Sequence, residues 1–528
     1  MRTFVLPKLM GTAVRNSATH ALPVVLIAAI FFTFFLTYRG GIERGHDSDS
    51  VASNVFLAVC AVLSVEKYHT GRYVCANAVY RQMADAGLGF WDMGFWDKSW
   101  DDIGRNKEFI NSRLETLFQS PGEVQNDGIT PIGWAMDAGV MDFVELAVAV
   151  FGHKLESLYS MFFLLLGIST ALACIQFYDR LFALFAFLSF QVVLFKFLPE
   201  VGMWLLHSFT NVQFLSILAI TPLLHILFLI LYRVRPSTRA IVLCIPQAAL
   251  MVLVAEFRAT TYWTLVALAL ICGSIISIAY WHVRCSYRDE LARCWPVLPV
   301  IVSLIATGSF VAATVDPRLA AIGGMKMHAF WQPIYYNLQL HPEWQNKYLA
   351  QHEGASGDRT TEVAVDAYRK RHPDLLKEPL TQRSYEEQTR LVLFEFIRND
   401  PWYFIELKYI NAVTMIQEVS NFVLRILKSL PWPILMLAVC GAAALVSRIA
   451  IAAENLETMT WSTTTMVALV PIVAAPAWIT VMMPYAIADT AIVAGTAALV
   501  AGFGGMVVCG VLVARAAGLL RSPAVDPR

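Results

Sequence analysis

Ten long apolar stretches alternate with polar segments along this 528-residue chain. A hydrocarbon core about 30 Å thick requires about 20 apolar residues per helix. The pattern therefore predicts membrane-spanning helices at 21–38, 156–178, 180–198, 209–232, 239–256, 262–281, 294–315, 431–447, 463–485 and 490–514.

Two further apolar stretches, 51–64 and 138–152, are too short to span a membrane. We expect both to form helices that lie near the membrane interface. In the second stretch, apolar residues recur at helical spacing. The residues predicted to share one face are Val140, Phe143, Val144, Leu146, Ala147 and Phe151.

The positive charges between the spans are unevenly distributed, and this predicts the orientation of the chain. If the N-terminus is cytoplasmic, the inner segments carry fourteen lysines and arginines, whereas the short outer turns carry only Lys196 and Arg258. Cytoplasmic loops are enriched in these residues. Both termini are therefore predicted to be cytoplasmic.

This topology predicts five units along the chain. They are the N-terminus with the first span (1–38), a first extracytoplasmic segment (39–155), a six-helix block (156–315), a second extracytoplasmic segment (316–430) and a C-terminal three-helix block (431–528).

Composition agrees with this interpretation. Hydrophobic residues make up 57% of the chain, charged residues 15%, and the mean hydropathy is +0.56. Soluble domains carry about 45–50% apolar and about 25% charged residues. Lys+Arg and Asp+Glu are equal at 40 each, so net charge does not favour nucleic acid as a partner. We predict an all-α polytopic membrane protein with about ten transmembrane helices and two large, mainly helical extracytoplasmic segments.

The second extracytoplasmic segment contains a broken helical pattern. The pattern runs from Tyr385 to Lys408 and is interrupted at Asn399, Asp400 and Pro401. Proline suits the first turn of a helix, and Asp or Asn suits its N-cap. We therefore predict two consecutive helices that meet at this point.

Of the nine cysteines, Cys60 and Cys75 lie in the predicted extracytoplasmic segments. They could form a disulfide in an oxidising compartment or remain two buried thiols, because sequence does not supply the required Cα approach. The nine cysteines form no zinc pattern.

The strongest candidate chemistry follows the first span directly. There His46 precedes Asp47-Ser48-Asp49. Asp49 or Ser50 would serve as the N-cap of a helix that begins at residue 51. Capping accounts for one acid and leaves Asp47 available for catalysis or ligand binding.

This arrangement resembles the GT-C superfamily of membrane glycosyltransferases. The shared features are a first helix with a cytoplasmic N-terminus, a first outer loop that opens with an Asp-x-Asp motif, interfacial helices and a later outer domain. The segments around Phe330-Trp331 and Asp400-Pro401-Trp402 are also similar to those of bacterial multi-pass proteins. The Trp-Trp-Asp acceptor motif of better known GT-C subfamilies is missing here.

The resemblance implies that a sugar is transferred from a polyprenyl-phosphate donor to a glycan or lipid acceptor at the outer face of a bacterial inner membrane. Asp47 or Asp49 would take the proton of the acceptor hydroxyl. A cation must stabilise the charge on the leaving phosphate. Arg258 is the best candidate, although Glu256 competes as its partner, and Arg318 and Lys326 are weaker candidates. We expect substrate contacts from His46, Arg258, His328 and Trp331.

Several alternatives remain open at this point. No cofactor is required by the residues, and the acid motif is compatible with a divalent metal. The chain could instead be a transporter or flippase for a lipid-linked glycan, or a non-catalytic membrane assembly protein. His225 in the fourth predicted span is a further candidate, as the catalytic residue of a membrane-bound acyltransferase, with a hydrogen bond to a neighbour as its structural alternative.

Overall fold

The computed structural model describes residues 23–40, 53–86, 88, 107–119, 128–131, 138–154, 156–201, 212–257, 259–281, 287–321, 331–355, 358–377, 380 and 382–429. This part of the chain is mostly helical, as predicted. The predicted spans 431–447, 463–485 and 490–514 lie outside the described residues.

Before residue 322, helical residues occur within each stretch that was predicted to span the membrane. The helices in this range are α1 (Pro23–Gly40), α2 (Ser53–Tyr68), α3 (Asn77–Asp85), α4 (Lys107–Gln119), α5 (Ala138–Phe151), α6 (Glu156–Gln176), α7 (Leu181–Val201), α8 (Ile220–Leu231, after a 3-10 turn at Val212–Ala219), α9 (Thr238–Phe257), α10 (Trp263–Trp281, after a 3-10 turn at Ala259–Tyr262), α11 (Tyr287–Arg293), α12 (Val297–Thr314) and α13 (Arg318–Ala321).

The helices after residue 330 are shorter at first and end in one long helix. They are α14 (Trp331–Tyr336, followed by a 3-10 turn at Asn337–Leu340), α15 (Trp344–Lys347, followed by a 3-10 turn at Ala350–His352), α16 (Asp358–Arg371), α17 (Pro373–Leu376), α18 (Gln382–Asn399) and α19 (Pro401–Ser429).

Within the described residues, four helices are long and apolar enough to cross a membrane. They are α1, α6, α9 and α12. Two shorter apolar helices, Ile217–Leu231 and Thr264–Ser277, correspond to further predicted spans. These lengths and compositions suit a multi-pass membrane protein.

One large hydrophobic core unites α1 with α2, α5, the helices from α6 to α10 and α12. Helix α2 is part of this core, because its residues from Ala58 to Leu63 are buried. On α5, Val140, Phe143, Val144 and Ala147 are buried in this core. Leu146 and Phe151, which were predicted to share their face, are about 40% exposed. Leu146 projects from another side of the helix, and Phe151 lies in its last turn.

A small antiparallel sheet departs from the all-α prediction. Strand β1 (Val74–Ala76) pairs with β2 (Ile129–Pro131), and Cys75 lies opposite Thr130. A disulfide joins Cys60 on α2 to Cys75 on β1, with a Cα–Cα distance of 5.3 Å. The first of the two alternatives left open by the sequence is therefore the one that the structure contains.

A second hydrophobic core lies between α14, α15, α16, α18 and α19. The predicted helix break is confirmed, since α18 ends at Asn399 and α19 begins at Pro401. Asp400 caps α19, because its Oδ1 accepts a hydrogen bond from the Tyr403 N–H at 3.2 Å. The carboxylate satisfies a backbone donor that has no partner within the helix.

The apolar helices are joined to one another by polar and ring contacts at both of their ends, and the contacts at each end form a separate group. At one end, the Tyr159 hydroxyl of α6 donates to the Tyr38 carbonyl of α1 at 2.7 Å. At the other, Trp295 Nε1 donates to the Val234 carbonyl at 2.7 Å, and Arg180 lies over the ring of Tyr232 at 5.2 Å.

Candidate functional site

The most organised polar cluster among the described residues surrounds Arg72, and we call it the Arg72 junction. It comprises Gly71, Arg72, Tyr73, Asp142, Glu145, Glu256 and Asp316. These residues come from the segment before β1, from α5, from the last turn of α9 and from the residues after α12. The junction thus joins the segment before residue 155 to the C-terminal ends of two candidate spans.

Backbone contacts bring the segment before β1 onto the end of α12. The Arg72 N–H donates to the Thr314 carbonyl at 3.0 Å, and the Asp316 N–H donates to the Arg72 carbonyl at 3.3 Å. The Gly71 N–H donates to Asp316 Oδ2 at 2.9 Å. A Cβ on residue 71 would lie 2.3 Å from the Asp316 Cα, so only glycine permits this approach.

Arg72 forms the electrostatic centre of the junction. Its Nη2 lies 2.6 Å from Asp142 Oδ1 and also contacts the Glu145 carboxylate. The two acids are three residues apart on α5 and therefore lie on the same face of that helix. The guanidinium also lies over the Phe310 ring of α12 at 5.1 Å. Arg72 consequently ties α5 to α12 through both charge and ring contacts.

Burial shifts the pKa values of two groups in the junction. It raises the pKa of Asp142 to about 6, an effect that Arg72 opposes and that the charges of Glu145 and Glu256 reinforce. It also raises the pKa of Tyr73 to about 12. Three carboxylates thus act on one another near a single arginine side chain among the described groups of the junction. Asp142 is the member whose protonation would change near neutral pH.

The last turn of α9, directly before Arg258 in the sequence, packs against α5. A Cβ on Gly139 would lie 2.7 Å from the carbonyl carbon of Glu256, and the rings of Phe143 and Phe257 are 5.3 Å apart. Arg258 itself lies outside the described residues. Glu256, the predicted alternative partner of Arg258, accepts a hydrogen bond from the Tyr262 hydroxyl at 2.6 Å.

Helix α2 is fixed by covalent and polar contacts to β1, the strand that directly follows Tyr73 of the junction. Besides the disulfide to Cys75, the Ser64 hydroxyl accepts a hydrogen bond from the Ala76 N–H at 2.8 Å. That hydroxyl donates in turn to the Cys60 carbonyl at 2.6 Å. The acid motif ends four residues before α2 begins at Ser53. An extended chain of that length spans at most about 14 Å.

Of the predicted site residues, the structure describes Trp331 alone. His46, Asp47, Asp49, Arg258 and His328 lie outside the described residues, as does the proposed cap of Asp49 or Ser50. The secondary candidate Arg318 forms an ion pair with Asp316 at 2.8 Å, and Lys326 is not described.

Trp331 occupies a structural position at the start of α14. Its N–H donates to Glu386 Oε2 at 2.9 Å, and the Gln332 N–H donates to Glu386 Oε1 at 3.3 Å. The ring of Trp331 lies 5.6 Å from that of Phe394. Glu386 therefore holds the N-terminus of α14, where a negative charge is favourable.

His225 belongs to a hydrogen-bond network between helices. Its Nδ1 lies 3.4 Å from Gln247 Nε2. The Gln247 side chain also accepts from the Ser169 hydroxyl at 2.6 Å and donates to the Ser169 carbonyl at 2.8 Å. Such polar contacts join helices within apolar surroundings. They agree with the structural alternative for His225.

Sequence reasoning missed the Arg72 junction. A signal was nevertheless present, because Asp142 and Glu145 are the charged residues of the otherwise apolar helix α5. Among the described residues, no group of three or more His, Cys, Asp or Glu side chains could hold a metal ion. The junction is best described as an ion-paired clamp in which burial raises the pKa of one carboxyl group, that of Asp142.

Comparison of the chain with protein-family models, with curated proteins and with solved structures returned no match.

Proposed function

We propose that this chain is a GT-C-type membrane glycosyltransferase that moves a sugar from a polyprenyl-phosphate donor to an acceptor at the outer face of a bacterial inner membrane. The proposal includes ten spans, cytoplasmic termini and two extracytoplasmic segments. Asp47 or Asp49 is the general base, and Arg258 binds the phosphate of the donor.

The packing of Gly139 against Glu256 and Phe257 is the observation that carries this proposal. It packs α5, which belongs to the same predicted outer segment as the acid motif, against the residues that directly precede Arg258 in the sequence. A glycosyltransferase needs its base and its phosphate-binding cation near one donor molecule. The two groups of end contacts provide further support, because each joins span ends that the charge pattern assigns to the same side.

The proposed reaction is a single displacement at the anomeric carbon. The base takes the hydroxyl proton of the acceptor while the acceptor oxygen forms a bond to that carbon. The bond from the same carbon to the phosphate oxygen breaks, and its electron pair leaves with polyprenyl phosphate. A planar guanidinium at Arg258 would stabilise the growing charge through two parallel hydrogen bonds.

The acid motif is tested by Asp47→Asn and Asp49→Asn in the purified full-length protein. Transfer from a radiolabelled polyprenyl-phosphate sugar is measured against a panel of glycan and lipid acceptors. Loss of the base should reduce turnover by about two to four orders of magnitude. The cap position should tolerate Asn, because Asn caps nearly as well as Asp. Near-normal turnover in both variants would remove the catalytic assignment.

The coupling between α5 and the turn is tested by Gly139→Ala. The added Cβ would lie 2.7 Å from the Glu256 carbonyl carbon, so the turn must shift. We expect donor binding to weaken and transfer to fall together. Gly308→Ala is the matched control, because a Cβ there meets nothing within 4 Å. Movement of unaltered donor across a vesicle bilayer, without transfer, would favour the transporter alternative.

A further inference from the structure

Lys408 on α19 is a buried lysine without a carboxylate partner among the described residues. Its exposed fraction is 7%, and its Nζ lies 5.1 Å from the ring centroid of Phe404. Burial alone lowers the pKa of Lys408 to about 8. The nearest acid along the helix, Glu406, projects from another face, where its carboxylate lies 3.5 Å from His341 Nε2. Fully buried lysines are rare unless they are paired.

Asn411 supplies an independent observation one turn further along α19. Its exposed fraction is 1%, and both polar atoms of its amide group are buried without a hydrogen-bond partner. A buried amide without a partner loses the free energy of its hydrogen bonds to water. Residues three apart on a helix lie on the same face, so the Lys408 and Asn411 side chains are neighbours.

The two side chains have complementary hydrogen-bonding requirements. The Lys408 ammonium and the Asn411 Nδ2 can only donate, whereas the Asn411 Oδ1 can only accept. One ligand would satisfy all three atoms if it carried anionic oxygens together with a hydroxyl group. A phosphate group with one proton has both, and its second pKa near 6 makes this form available at neutral pH.

We propose that Lys408 and Asn411 form a binding site for a phosphate group on α19, in the second predicted extracytoplasmic segment. The ligand is either a free phosphate compound or the phosphate monoester headgroup of a lipid such as polyprenyl phosphate, since both present the same oxygens and can keep one proton. The site does not depend on the glycosyltransferase proposal.

The test uses the full-length protein in detergent micelles and follows its thermal midpoint as inorganic phosphate is added. A ligand that binds only the folded state raises the midpoint as its concentration exceeds the Kd. Sodium sulfate at matched ionic strength is the control ligand, because it offers anionic oxygens without a proton at neutral pH. We expect phosphate to raise the midpoint more than sulfate does.

Two variants assign this effect to the site. Lys408→Met keeps the apolar stem and should abolish the phosphate-dependent shift while leaving the midpoint without ligand unchanged or higher. Asn411→Leu should remove the difference between phosphate and sulfate. Lys377→Met is the matched control, because Lys377 is exposed and paired with Asp374, and it should behave as the parent.

The source of the phosphate is identified by a second titration with micelle-incorporated polyprenyl phosphate. A shift at lower concentration than with inorganic phosphate identifies a lipid headgroup, and the reverse order identifies a free phosphate compound. The proposal is overturned if neither probe raises the midpoint, or if the shift persists in Lys408→Met. A lower midpoint without ligand in that variant would show that Lys408 serves only the fold.

Discussion

Removal of Arg72 should destabilise the Arg72 junction in a way that depends on pH. The side chains of Arg72 and Asp142 are 14% and 15% exposed, so solvent screens their ion pair only weakly. Arg72→Met retains an apolar side chain that can contact the Phe310 ring, but it leaves Asp142 and Glu145 without their arginine. Removing one partner of a buried ion pair lowers the free energy of unfolding by about 3–5 kcal/mol.

The pKa of Asp142 gives an independent magnitude. Its rise from an ordinary 3.8 to about 6 corresponds to about 3 kcal/mol against the ionised form, at 1.36 kcal/mol for each tenfold change in affinity. That cost exists while Arg72 is present, so removal of the arginine must increase it. Glu145 contributes less, because its side chain is 41% exposed and its charge is better solvated.

The sign of the pH dependence follows from the direction of this shift. A carboxyl with a raised pKa binds its proton more tightly in the folded state than in the unfolded chain. The contribution of Asp142 to stability is therefore complete below about pH 4 and is lost as pH rises through about 6. In Arg72→Met the pKa rises further, so this loss extends to higher pH. The variant should resemble the parent more closely at pH 5 than at pH 8.

Hydrogen exchange of α5 and β1 measures this effect locally, after correction for the intrinsic exchange rate at each pH. A loss of about 3 kcal/mol corresponds to exchange that is roughly a hundredfold faster at pH 8. Arg72→Met/Asp142→Leu should recover part of the loss, because it removes the buried charge as well. Arg371→Met is the control, since its pair with Glu395 is exposed and should change stability by less than about 1 kcal/mol. Equal protection in Arg72→Met and the parent at pH 8 would refute the reasoning.

Two further predictions concern the same region. Replacement of Cys60 and Cys75 by alanine opens a disulfide with a sequence separation of 15, which should cost about 3 kcal/mol. Hydrogen exchange of β1 should then be faster than in the parent, and as fast as in the parent treated with reductant. An unchanged exchange rate would contradict this prediction. Gly71→Ala should cost about 1–3 kcal/mol, because its Cβ would lie 2.3 Å from the Asp316 Cα. Gly273→Ala, which meets nothing within 4 Å, is the control for the thermal midpoint, and equal midpoints would contradict the clash.

Local sequence patterns were sufficient for the long apolar helices and for the boundary between α18 and α19. Hydropathy averaged over a span depends on neighbouring residues alone, so helices occur at each predicted span before residue 322. The break between α18 and α19 was equally predictable. Pro401 lacks an N–H and Asp400 supplies a capping oxygen, and both effects act within a few residues.

The candidate site depended on contacts that sequence periodicity does not encode. Arg72 and Asp142 are 70 positions apart, and Gly71 contacts Asp316 from a separation of 245 residues. An acid on an apolar helix is equally compatible with solvent, a lipid headgroup or an ion pair until the facing surface is known. The same holds for the cysteines, whose spacing allowed a disulfide but did not require one.

The sequence by itself determined that this is a mainly helical chain with apolar, span-length helices, because helix formation and hydrophobicity are properties of local segments. Only the tertiary structure decided that Cys60 is joined to Cys75, that Arg72 lies between the two acids of α5, and that Lys408 and Asn411 are buried, the Asn411 amide without a hydrogen-bond partner among the described residues. These features arise where distant segments exclude water together. The free energy of a buried charge or amide depends on every group around it, and no local pattern specifies those groups.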